Sequence, residues 1–303
     1  MRIDQFIYLT LIDKLGSISL AAEHLHISQP TISQAISALE KDLGIKLFYR
    51  SRLGTIPTED GKIIIKKAKE LLNKIEEMKE VAHSEHALLS GRLSIATIPT
   101  IAMTIFPKIL VTFKNRFPGV NVDIFEAGSL EIEKNILNGQ FDIGFISIRN
   151  IEEIKDKEDL FFEEVINSKI MACVGQKSPL SPKKSITFKE IVQHPILMYN
   201  PQYKLYSYLI KQLNNYGEPN ILLTSNNTES AKRILAEGIG IGFCNNLSII
   251  NDPYFQTQRL IPIPISDEDT SLITGWIRLK SNHFPPAAKE FIKMLKSYIH
   301  IEF

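Results

Sequence analysis

The sequence predicts an α/β protein headed by a small helical unit, and three observations carry that prediction. Residues 1–58 read as short helices closed by a hairpin, residues 59–89 as one long amphipathic helix, and residues 90–303 as strands alternating with helices. The β-α-β-α-β order of the last part calls for a mostly parallel sheet covered by helices.

The elements follow from local chemistry. Phe6, Ile7, Leu9, Leu11 and Ile12 supply the apolar content of a first helix, and Gly16 suits its end. Ser19 can cap a second helix at Leu20–Leu25, and Ser28 a third, with Pro30 tolerated in its first turn. The third helix carries Ile32, Ile36, Leu39 and Leu43 at spacings of four, three and four, one buried stripe ended by Gly44. Residues 47–57 read as a short hairpin around Gly54. Thr58 then caps a helix running to about Leu89, roughly 45 Å long at 1.5 Å per residue. Its apolar residues Ile64, Ala68, Leu71, Ile75, Met78 and Ala82 form a heptad seam that asks for a partner helix.

Strands are expected at residues 93–98, 120–126 and 141–146, with helices at 103–117 and 129–137 between them. A second set follows: strands at 162–166, 170–174, 221–224 and 239–243, with helices at 203–216 and 228–236. Strands at 260–265 and 273–279 and a helix at 285–299 close the chain.

Composition narrows the function. The chain has 303 residues, 44% hydrophobic and 23% charged, which is material for two domains with real cores. Lys and Arg (35) nearly cancel Asp and Glu (34), which excludes a general basic coat but not a local patch. Residues 44–57 hold Lys46, Arg50 and Arg52 and no acid. The N-terminus lacks the pattern of a signal peptide, and the apolar stretch 98–111 is too short to cross a bilayer. Two cysteines, Cys173 and Cys244, fit a reducing compartment and read as small buried hydrophobes. The expected location is the cytoplasm, with no membrane contact.

Several motifs are set aside. Gly238, Gly240 and Gly242 follow a helix and enter a strand, the reverse of a dinucleotide-binding loop. His24 with His26, and His83 with His86, have no cysteine or carboxylate cluster at metal spacing, so no metal or cofactor is expected. No nucleophile–base pair or paired catalytic carboxylates stand out, so neither an enzyme nor any catalytic residue is expected. An enzyme or solute-binding protein built on the α/β part is the competing class.

Residues 21–34, AAEHLHISQPTISQ, form a helix-turn-helix pattern in which Ala21 and Ala22 let two helices approach closely. Helical geometry puts Pro30, Ser33, Gln34 and Ser37 opposite the apolar stripe, with Ser28, Gln29 and Thr31 at the tip. Such side chains can enter a groove and bond base edges, and Arg50 and Arg52 can meet phosphates or a minor groove. The segment resembles the LysR-type transcriptional regulators, through Ala21-Ala22 with Leu25, Ser28-Gln29-Pro30, Ile32-Ser33, Ile36, Leu39-Glu40, Leu43-Gly44, Leu47-Phe48 with Arg50, and Thr58-Glu59 with Gly61. Gln34 stands where that family often has a basic residue, and Leu53 interrupts its arginine-rich wing.

The resemblance implies a winged helix-turn-helix (1–58), a dimerising linker helix (59–89) and an effector-binding domain (90–303) shaped like periplasmic solute-binding proteins. Its first lobe would be 90–162 with 267–303, its second 163–266, and two crossing strands the hinge. Implied partners are promoter DNA, a small effector and further copies of the chain as dimer and tetramer, with RNA polymerase a further candidate. Thr100, with Ile101 beside it, and Ser129 match family positions at the effector. Ser147 and Ile148 end a neighbouring strand, and Gln202, Asn226, Thr228 and Asn245 would serve the opposite lobe. No Lys or Arg falls among these positions, which favours a small carboxylate or polar metabolite over a polyanion.

Overall fold

A computed structural model of the chain describes residues 1–51, 54–82, 90–201 and 203–302. It separates into two compact units, Met1–Ala87 with Ser281–His283, and Leu88–Lys280 with Phe284–Phe303.

In the first unit, α1 (Ile3–Leu15), α2 (Ile18–His24) and α3 (Gln29–Leu43) precede a hairpin of β1 (Phe48–Ser51) and β2 (Gly54–Pro57), and α4 (Glu59–Ala82) follows. One core joins them, with Leu9, Ile12, Ala21, Ile32, Ile36, Leu39 and Leu47 fully buried. Gly16 ends α1 at φ +65°, a conformation that costs glycine nothing. The cap of α2 is Ser17, whose Oγ accepts from Leu20 N–H, and not Ser19. The helix starts earlier because Ile18 is pulled into the core, which turns Ser19 outward. Ser28 caps α3 as expected, accepting from Thr31 N–H. Between these helices His26 takes φ +54°, making the tight turn without a glycine.

The seam of α4 is divided in use. Ala68 and its neighbour Ile65 are buried in the helix-turn-helix core, and Lys69 pairs with Asp13 of α1 at 3.0 Å. Further along, Leu71 and Met78 are 39% and 72% exposed in the single chain. The apolar stripe therefore serves the intramolecular core first and is then exposed at Leu71 and Met78.

The second unit begins with β3 (Ser90–Thr97), α5 (Pro99–Thr104), α6 (Phe106–Arg116), β4 (Gly119–Glu126), α7 (Ser129–Leu137), β5 (Ile143–Ile148) and α8 (Glu152–Lys155). It continues through β6 (Leu160–Gly175), α9 (Phe188–Ile191), β7 (Ile196–Tyr199), α10 (Lys204–Asn214), β8 (Ile221–Ser225), α11 (Thr228–Ala236) and β9 (Ile241–Asn245). A 3₁₀ turn (Asn246–Ile249), α12 (Pro253–Gln256), β10 (Leu260–Pro264), β11 (Ser271–Leu279) and α13 (Pro286–Glu302) complete it.

The strands form one sheet in the order β4-β3-β5-β11-β6-β9-β7-β8, with β10 also on β6. The sheet is mixed and not mostly parallel. β3 pairs in parallel with β4 and β5, and β7 with β8 and β9, but β11 and β6 run against their neighbours. The cause is β6, one 16-residue strand where the sequence suggests two. Its first part pairs with β11 and its last part with β9 and β10. Separate cores sit at its two ends, one around Phe106, Phe113, Phe145 and Phe291, the other around Phe188, Leu209, Leu213 and Ile241.

The helix expected over 103–117 is two helices, because Pro107 supplies no N–H and the chain restarts at Phe106. The strands expected at 141–146 and 239–243 lie two residues later. No described helix is long and apolar enough to cross a membrane.

Candidate functional site

Two surfaces of the chain carry recognition chemistry. The first is the outer face of α3. Ile32, Ile36 and Leu39 anchor the inner face, and Gln29, Pro30, Thr31, Gln34 and Ser37 are exposed opposite, with Ser33 half-buried. Ser28 is committed locally: its Oγ lies 2.7 Å from Thr31 Oγ1 as well as accepting the Thr31 N–H. That pair shapes the helix tip, leaving the two glutamine amides as the long polar groups on it. The Arg50 side chain, and Arg52 altogether, lie outside the described residues.

Glu40 links α3 to the hairpin, a role the sequence pattern did not reveal. Its buried carboxylate accepts from Leu47 N–H at 2.9 Å, from Phe48 N–H at 3.4 Å and from the Lys46 ammonium at 3.0 Å. Burial works against its charge, but those hydrogen bonds outweigh it and hold the carboxyl below its ordinary 4.5. Only a buried acid at the end of an otherwise amphipathic stripe could have signalled this. Glu40→Gln should destabilise the N-terminal unit by about 1–3 kcal/mol. The sign of the pH effect is fixed: a depressed folded pKa stabilises above the ordinary value and is lost as pH falls through the folded one. Melting curves of parent and variant should therefore differ at pH 7 and draw together below about pH 4. Curves that stay equally far apart at both pH values would contradict the role given to the charge.

The second surface is a cavity of about 630 Å³ between the two lobes of the second unit. Thr100, Ser129, Ser147, Ile148, Asn226, Thr228 and Asn245 all line it, so residues far apart in sequence are brought together. Ile101 is the exception. Its side chain is 1% exposed and belongs to the first lobe's core, because α5 turns it inward. Gln202 lies outside the described residues.

Several of these groups are already engaged. Ser129 Oγ donates to Ser147 C=O and accepts Ser147 N–H, both at 3.1 Å, riveting α7 to β5. Ser147 Oγ lies 2.6 Å from Thr274 Oγ1. Asn245 donates to Ser168 and accepts from Leu247 N–H. The N-caps of α7 and α11 are Gly128 and Asn227. No side chain caps α7, which leaves its first N–H groups to an acceptor arriving at the cavity wall. The Tyr203 ring packs on Gly128, where any Cβ would crowd it at 3.0 Å.

The wall also holds three cations that the sequence positions did not include: Arg149, Lys204 and Lys232. Each is matched by acids. Lys204 of α10 reaches across to Glu133 of α7, which also holds Lys157, and to Glu153 of α8 at 3.6 Å. Burial lowers the pKa of Lys204, with Glu153 opposing, and that of Lys157, where the Lys204 charge adds to it. Lys232 of α11 pairs with Asp252 and, at 3.0 Å, with Glu229. Its burial opposes the charge, yet those partners raise its pKa. Arg149 lies 4.2 Å above the Tyr208 ring, donates to the carbonyls of Asp269 and Ser271, and sits 3.8 Å from the Asp269 carboxylate. The lobes also touch where Ser248 Oγ donates to Thr100 Oγ1 at 3.5 Å. These positions were invisible in the sequence because sheet topology, and no local motif, brings them to the cavity.

Burial pushes the Tyr199 phenol far up, and its hydroxyl donates to Phe243 C=O. Cys173 and Cys244 are both buried, and the hydrogen bond between them, with burial, raises the Cys244 thiol. Among the described residues no three His, Cys, Asp or Glu side chains gather as metal ligands would.

A helix-turn-helix presenting one polar face, on a chain that also folds a two-lobed α/β unit around a cavity, defines a ligand-responsive DNA-binding regulator. The chain belongs to the LysR family of such regulators. Residues 3–62 match the bacterial regulatory helix-turn-helix of the lysR family, and residues 86–299 match the LysR substrate binding domain. The uncharacterized HTH-type transcriptional regulator YvbU of Bacillus subtilis is 26% identical over the whole of both chains. A full-length OxyR variant from Pseudomonas aeruginosa superimposes with a TM-score of 0.77 at 20% identity, over 99% of this chain and 95% of that one. The effector-binding domain of QuiR in complex with shikimate gives 0.58 at 16% identity, over 71% of this chain and 99% of that one.

Proposed function

We propose that the chain is a cytoplasmic regulator that binds promoter DNA as a dimer and changes its grip when a small carboxylate or polar metabolite enters the interlobe cavity. The observation that carries this reading is the cavity itself, with its wall drawn from both lobes and the uncapped N-terminus of α7 turned to it. A bound carboxylate such as the shikimate of QuiR fits that donor set. Closing the lobes on a ligand biases one arrangement of the assembly over another, and DNA and effector must then change each other's affinity equally. The chain acts by binding and not by catalysis.

Residues 1–58 serve as the DNA-binding module, 59–89 as the pairing helix, and 90–303 as the sensor with lobes 90–162 plus 267–303 and 163–266. The bare stripe at Leu71 and Met78 favours pairing through α4. Sensor domains pair in turn to give tetramers, and RNA polymerase is the further partner. On DNA, Gln29, Pro30, Ser33, Gln34 and Ser37 enter the major groove, Ser28 and Thr31 set the helix tip, and Arg50 and Arg52 meet phosphates.

Footprinting on the DNA beside the chain's own gene tests this. Gln29→Ala with Gln34→Ala should weaken specific protection by about tenfold or more without changing its salt slope, since base contacts specify and phosphate contacts carry the salt dependence. Melting should be unchanged because both side chains are exposed. Complete absence of protection by the parent would sink the reading.

A further inference from the structure

The cavity extends past the cleft. From Asn226 and Ser248 its wall continues into the second lobe, beneath α11 and α12 and over the face of β6, β7 and β9. Cys173, Leu197, Leu235, Cys244 and Phe255 line this arm and form a cluster separate from that lobe's main core.

The arm has a local cause. Ala231 and Leu235 lie one turn apart on the same face of α11, and Gly242 and Cys244 lie on the same face of β9. At the far end Leu235 seats directly on Gly242, where a Cβ would collide with it, and the space is closed. One turn nearer the cleft, the cavity is lined by the Ala231 methyl and the Cys244 thiol, both smaller than the leucine that closes its far end. Lys232 borders this arm, but its charge is spent on Asp252 and Glu229. The arm offers apolar surface and no second counter-charge. The whole cavity, about 630 Å³, would hold about 20 waters at roughly 30 Å³ each, far more space than a compact carboxylate fills.

We propose that the effector is amphipathic, a carboxylate held between the lobes with an unbranched apolar tail inserted between α11 and the second lobe's sheet. This rests on the effector-binding reading above and names the ligand class for the same cavity. The tail runs along the Ala231 methyl and over the small exposed parts of Cys173, Leu197, Cys244 and Phe255, and each methylene that enters adds to affinity until Leu235 stops it.

Calorimetric titration of the full chain with acetate, butyrate, hexanoate, octanoate and decanoate tests the proposal. Kd should fall by about fourfold per added methylene from butyrate upward, then level off where the arm ends. Ala231→Leu fills the arm and should remove the gain for hexanoate and octanoate while leaving butyrate unchanged. A Kd independent of chain length, or equal weakening of butyrate and octanoate by Ala231→Leu, overturns it. Binding of short hydrophilic carboxylates with no binding of alkanoates overturns the tail alone and leaves the cleft reading standing. Failure of every carboxylate overturns both.

Discussion

Glu133→Ala should destabilise the second unit by about 3 kcal/mol, a fall of roughly 6–12 °C in Tm for a unit of this size. The Glu133 side chain is 4% exposed and holds two lysines at once, Lys157 at 31% exposure and Lys204 at 20%. Removing it strands both ammonium groups in a site that burial already makes unfavourable for charge. Glu153 remains beside Lys204 and limits the damage. The same change removes one of the ties between α10 in the second lobe and the first lobe, leaving Lys204–Glu153. Adding Lys204→Met to Glu133→Ala should recover part of the lost stability, a coupling that a double-mutant cycle isolates. Calorimetric melts of the four proteins are the measurement. Additive losses, or an unchanged Tm in Glu133→Ala, would show that Glu133 and Lys204 are not coupled in this way.

Gly61→Ala is expected to be as costly in the other unit. Gly61 lies in the first turn of α4, and a Cβ there would drive into the backbone carbonyl of Leu47, with Thr58 Oγ1 also within 3.0 Å. Backbone cannot swing aside as a side-chain tip can. Thr58 makes the site rigid, because its hydroxyl donates to Lys46 C=O at 2.6 Å and accepts Gly61 N–H at 2.8 Å. A loss of about 3 kcal/mol or more is expected, the upper range for an overpacked site. Specific footprinting should disappear while alkanoate or carboxylate titration of the second unit persists. A variant that melts and footprints like the parent would show that α4 can shift away from Leu47, contrary to this packing.

Much of the first unit was legible because local rules decide it. Ser28, Gly44 and the stripe Ile32, Ile36, Leu39 fix α3 with no help from distant residues. Ser17 was missed for Ser19 because the choice of cap depended on where Ile18 had to pack, which is a tertiary fact. In the second unit the alternation of elements was readable, but the long β6 was not. Asn167, Ser168 and Lys169 look like a break in sequence, yet they continue the strand because β11 pairs through that stretch. The cavity divides the same way. Thr100 and Ser129 were legible through the family resemblance, and Asn226, Thr228 and Asn245 sit at strand and helix ends, where position suggests a cleft. Arg149, Lys204 and Lys232 became visible only once the sheet order set them beside their acids.

The balanced wall of the cavity separates the chain's two kinds of recognition by their response to ionic strength. Its lysines and arginine are neutralised inside the fold, so a ligand entering there displaces few mobile ions and its affinity changes little as salt rises. DNA binding releases condensed counterions and loosens steeply over the same range. A swing in cellular salt would therefore shift promoter occupancy while leaving the concentration at which effector is sensed almost fixed.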